Sequence, residues 1–87
     1  MGKDSVADSF VVQLGRYVHE LREERGMSPD ELAILAGVSL DFVNQFETGT
    51  LLVSPNVSII ERLALALDMP HQELVHGFRE WKQINGC

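Results

Sequence analysis

Apolar residues recur along the chain at helical spacing, and short punctuation separates one run from the next. Phe10, Leu14, Val18 and Leu21 fall four, four and three residues apart, one stripe of a helix that ends at Gly26. Ser28, Pro29 and Glu31 then carry the marks of a new helix start. Serine caps, proline suits the first helical position, and Glu31 completes a capping box. That second helix carries Leu32, Ala33, Leu35 and Ala36 and stops at Gly37. Ser39 caps a third, with Val43 and Phe46 as its buried face and Gly49 at its end. After a loop from Thr50 to Pro55, Asn56 caps a fourth helix whose stripe is Val57, Ile60, Leu63, Ala64 and Leu67. Pro70 opens a fifth, with Leu74, Val75, Phe78 and Trp81 on one side, running over about residues 71–85. No strand-like alternation competes. The pattern predicts an all-α, five-helix domain with an extended C-terminal helix.

The size fits that expectation. Eighty-seven residues, 45% of them hydrophobic, suffice for one small core. Residues 10–85 read as a single domain, and the polar, acidic residues 1–9 as a flexible lead-in without the apolar heart of a signal peptide. The Met1-Gly2 start lacks the Ser or Thr at position 6 that myristoylation requires, since Val6 stands there. No apolar run is long enough to span a membrane. The single cysteine, Cys87, has no partner for an internal disulfide, so the reducing cytoplasm is the expected location.

Between the second and third helices the residues make a specific pattern. Ala33, Gly37 and Val43 place a small residue, a turn glycine and a buried aliphatic at the spacing of a helix-turn-helix, over about residues 29–48. Ala33 is small where two helices cross, Gly37 relieves the turn, and Val38 and Val43 fill the space beneath it. Here the chain resembles the Cro/phage-repressor helix-turn-helix family, also called the xenobiotic-response-element type. The resemblance runs from about Leu14 to Leu74, through "LGRYVHELREERGMSPDELAILAGVS" and "VNQFETG" to "SPNVSIIERLALALDMPHQEL". It implies a repressor-like domain that braces its second helix on the DNA backbone and reads the major groove with its third. It also implies an ion pair between Arg22 and Glu47, tying the first helix to the third.

Charge then changes the picture. Seven Lys and Arg face thirteen Asp and Glu, a net charge of −6, and no Lys or Arg lies between Arg25 and Arg62. Nonspecific DNA binding needs cations that displace counterions. Pro29 replaces the phosphate-contacting glutamine often found at that position in the family. The loop after Gly49 is about two residues longer than the family's usual one, with the apolar run Leu51, Leu52 and Val53. Arg16, Arg25 and Arg62 are the basic residues to weigh as phosphate contacts or as solubilising charges.

The expected DNA-binding residues are Ser28, Ser39, Leu40, Asp41, Phe42, Asn44, Gln45, Thr48 and Thr50. Asn44 and Gln45 carry the amides that bond adenine, Phe42 suits a thymine methyl, and Asp41 accepts from cytosine. The bland alternative is a solvated polar face. On the last helix, Val75, Phe78, Trp81 and Ile84 are expected to form a homodimer interface, beyond a core that Leu74 closes; simple extension of that core is the alternative. His19, His71 and His76 are scattered and read as surface histidines, with no phosphate loop or metal-binding spacing, so no catalysis, metal or cofactor is expected. The sequence thus points to a dimeric, sequence-specific transcriptional regulator acting on a double-stranded DNA operator. The rival keeps the fold as a module that binds a protein partner, as an antitoxin or regulatory subunit does, with weak or no DNA binding.

Overall fold

The computed structural model describes residues 6–51 and 55–85. Five helices appear there in the expected order: α1 Val6–Glu24, α2 Pro29–Ala36, α3 Leu40–Thr48, α4 Val57–Ala66 and α5 His71–Asn85. No strand occurs among the described residues. Residues 6–9, expected in a lead-in, already have helical backbone, so α1 is a turn longer at its start than its apolar stripe suggests. Residues 1–5, most of the Leu51-Leu52-Val53 run, and Cys87 lie outside the described residues.

The caps form as local chemistry dictates. Ser28 Oγ accepts from the Glu31 amide at 3.1 Å while Glu31 Oε1 accepts from the Ser28 amide at 2.9 Å. Two orphan donors of α2 are thereby satisfied reciprocally. Ser39 accepts from the Phe42 amide at 3.0 Å and Asn56 from the Ile59 amide at 2.9 Å. The turn between α2 and α3 passes through Gly37 at φ 71°, the left-handed region that costs other residues a Cβ clash.

Helix α1 lies across α3 and α5, and α2 packs against α3 and α4. Leu32, Ala33, Val43, Phe46, Leu63, Ala64, Leu67 and Leu74 are all buried between them. The α1–α3 crossing is close because of Gly15: a Cβ there would overlap the main-chain carbonyl of Phe46. Four apolar positions of the predicted stripes turn out exposed. Phe10, Leu35, Val57 and Val75 face outward, Phe10 reaching Phe78 only edge-on at 5.6 Å. Val57 is the first residue of α4 and Leu35 sits in the last turn of α2, where short helices no longer cover their full circumference.

The two glycines make different predictions. Gly37 has open space where a Cβ would go, so Gly37→Ala should cost only the left-handed backbone penalty, about 1–2 kcal/mol. Gly15→Ala must push α1 off α3 and should cost at least as much, about 1–3 kcal/mol or more for an overpacked contact. Urea denaturation of both variants checks this; a Gly15→Ala protein of wild-type stability contradicts the close crossing.

Candidate nucleic-acid interface

Helix α3 is held between two glycine-assisted ends and one charge pair. Gly49 closes it in the left-handed conformation at φ 77°, and the Thr50 amide returns to the Gln45 carbonyl at 2.9 Å. Val43 and Phe46 anchor it to the core. The pair comes from α1. Arg22 donates from Nε to Glu47 Oε2 at 2.8 Å and from Nη2 to Glu47 Oε1 at 3.0 Å. Its third donor, Nη1, reaches the Met27 carbonyl in the turn before α2 at 2.6 Å. The two side chains are only 8% and 7% exposed, so this is a desolvated, two-pronged pair rather than a surface one. The hydrogen bonds that it donates to Glu47 push the Arg22 guanidinium further up from its already high value, against the opposing effect of burial.

His19 joins the same cluster. Its Nδ1 lies 2.8 Å from Glu47 Oε1 and its Nε2 lies 3.4 Å from Glu23. His19 Nδ1 also stands 3.1 Å from Arg22 Nη2, so it donates to Glu47 or accepts from Arg22 according to its tautomer. Sequence reasoning placed His19 simply on the surface. Its position three residues before Arg22, on one helix face, was the signal that linked them.

The pair leaves the opposite side of α3 to solvent. Leu40, Asp41, Asn44, Gln45 and Thr48 are exposed there. Phe42 is the exception: it is half-buried and stacks on Phe46 with centroids 5.6 Å apart, so part of its ring is engaged at the edge of the core. Ser28 and Ser39 are exposed but their hydroxyls accept the cap bonds of α2 and α3. Thr48 Oγ1 donates to the Asn44 carbonyl at 2.7 Å and stands 3.1 Å from Thr50 Oγ1. Both hydroxyls are therefore engaged by α3 itself. Arg25, weighed as a phosphate contact, is committed as well: its Nε donates to the Leu67 carbonyl at the end of α4, at 2.8 Å. Apart from Glu47, the formal charges on α2 and α3 are Asp30, Glu31 and Asp41, all exposed.

The structure divides the four residues expected at a dimer interface. Phe78 is 5% exposed, packed 5.8 Å from the Tyr17 ring. Trp81 is half-buried against Tyr17 and Phe78 and donates from Nε1 to Glu20 at 2.9 Å. These two aromatics extend the core of the monomer, which corrects the expectation that Leu74 completes it. Tyr17, on the long α1, is the residue that needs covering. Val75 and Ile84 remain at the surface, Ile84 at 82% exposure. Among the described residues no cluster of three or more His, Cys, Asp or Glu could hold a metal ion. None of their helices is long and apolar enough to cross a membrane.

Residues 13–76 match the helix-turn-helix domain family, and the chain belongs to it. Among solved structures it is similar to the restriction-modification controller protein C.AhdI from Aeromonas hydrophila. The two share 35% identity at a TM-score of 0.67, covering 76% of this chain and 97% of that one. It is also similar to the clp gene regulator ClgR from C. glutamicum, at 18% identity and a TM-score of 0.68, covering 88% of this chain and 94% of that one. At that identity the second likeness speaks for the fold. No curated protein matches the chain.

The buried pair sets the prediction for this site. Removing one partner strands the other charge, so Glu47→Ala should lose about 3–5 kcal/mol of stability. Arg22→Lys keeps the charge but not the fork that reaches both Glu47 oxygens and Met27, and should also unfold at lower denaturant. Thermal and urea melts decide; a Glu47→Ala loss within about 1 kcal/mol, the value of an exposed pair, contradicts the geometry.

Proposed function

We propose that the protein is a sequence-specific DNA-binding transcriptional regulator of the repressor or controller type, working as a homodimer in the cytoplasm without a cofactor or catalytic step. The observation that carries this is the presentation of α3. A short helix, fixed from behind by Arg22 and Glu47, turns the amides of Asn44 and Gln45 outward beside Asp41 and Thr48. Asparagine and glutamine match the N6/N7 edge of adenine in a bidentate way, and a carboxylate accepts from the cytosine N4 amine. The likeness to a restriction-modification controller over nearly its whole length supports the same reading. With no basic residue on α2 or α3, affinity is expected to come mainly from base edges and main-chain amides.

One observation favours the protein-binding rival. On α2, Ile34 and Leu35 are both exposed next to acidic Asp30 and Glu31, a surface that suits a basic, partly apolar partner better than a phosphate backbone.

Selection from random duplexes at about 50 mM salt, where phosphate contacts are least screened, separates the two readings. The regulator reading expects an enriched, two-fold symmetric site, on which Asn44→Ala and Gln45→Ala each cost about 1–3 kcal/mol while random DNA is little affected. Failure to enrich any sequence overturns it. For the dimer, sedimentation should show wild type assembling at micromolar concentration and Ile84→Glu shifting towards monomer. A wild type that stays monomeric contradicts the assembly.

A further inference from the structure

We infer that Arg16 is the phosphate contact flanking the reading helix on its α1 side, the one exposed basic residue of α1 among the described residues. The inference rests on the regulator reading and names the backbone half of its DNA interface. Three neighbours fix where Arg16 stands. Val12 lies 3.3 Å from where a Cβ on Gly49 would be. Gly15 abuts the Phe46 carbonyl, and His19 Nδ1 is 2.8 Å from Glu47. Residues 12, 15 and 19 thus run along the last turn of α3, from its middle to its C-cap. Position 16 follows 12 by one helical turn and precedes 19 by three residues, so it shares that edge, rotated outward. Arg16 is exposed there.

Elimination strengthens the assignment. Arg22 is held by Glu47 and Met27, and Arg25 by the Leu67 carbonyl. Among the described residues no ion pair or side-chain hydrogen bond engages Arg16. The hydroxyls of Thr48 and Thr50, at the same end of α3, already bond to backbone carbonyls and to each other. The nearby formal charges on α2 and α3 are the acidic Asp30, Glu31 and Asp41, apart from the neutralised Glu47. A DNA strand bordering the groove on this side therefore meets Arg16, whose planar fork fits a phosphodiester.

The test is a salt series on the selected duplex and on a random duplex, with wild type, Arg16→Gln, Arg16→Lys and Asn44→Ala. Loss of one phosphate contact flattens the dependence of log K on log salt by about 0.9 per protomer. At about 0.1 M salt that corresponds to roughly a tenfold weakening per protomer, equal on both duplexes. Arg16→Gln should show both effects with an unchanged melting temperature, and Arg16→Lys should keep most of the slope. Asn44→Ala should weaken only the selected duplex and leave the slope intact. Wild-type slope and affinity in Arg16→Gln overturn the inference while leaving the regulator reading standing; so does a loss confined to the selected duplex. A wild type that binds neither duplex overturns both together.

Discussion

The guanidinium of Arg22 reaches three separate parts of the chain at once. It grows from α1, donates to the turn that starts α2, and holds the carboxylate of Glu47 at the end of α3. Everything on the outer side of the helix-turn-helix depends on that link. Helix α3 is only nine residues long, too short to hold itself in water, and its two large buried side chains, Val43 and Phe46, fix it along one line. A second line of attachment is needed to set its rotation, and the forked pair supplies it. Because Glu47 is neutralised from behind, its negative charge does not face a polyanion in front. A helix with no positive residue can then still be offered to DNA.

The same economy of charge runs through the molecule. Of the arginines weighed as DNA contacts, Arg25, just past the end of α1, bonds to the end of α4, while Arg16 and Arg62 stay exposed. Arg22 and Arg25 are thus used to join helices, and α3 itself carries no cation. An interface built this way discriminates more by base edge than by general attraction to nucleic acid. A net charge of −6 points in the same direction, since it suppresses binding to random DNA.

Much of the fold was legible in the sequence because its signals are local. Ser28 with Glu31, Ser39, Asn56, Gly37 and Gly49 each act within one turn of themselves, and each sits where the pattern expected. What the pattern missed depends on contacts between helices distant in sequence. Phe10 matched the stripe of α1 but faces mostly outward, while Tyr17, which the stripe passed over, draws Phe78 and Trp81 into the core. That Phe42 stacks on Phe46 could not be read from α3 alone. The Arg22–Glu47 pair came from family resemblance and not from spacing, and the place of His19 beside it needed three-dimensional coordinates. On α3, the sequence placed Asp41, Asn44, Gln45 and Thr48 at the surface, where they lie, but not the bonds that already engage the Thr48 and Thr50 hydroxyls.

The central claim is that Arg22 and Glu47 act as one unit in seating α3, and a double-mutant cycle on stability tests it most directly. Arg22→Ala, Glu47→Ala and the double variant are compared by urea denaturation under the same conditions. The account predicts that the double variant loses little more than either single one, a coupling of at least about 2 kcal/mol, because removing the second partner also removes the charge that the first removal stranded. Single losses that add to within about 0.5 kcal/mol would mean that the two side chains act independently, and would contradict it.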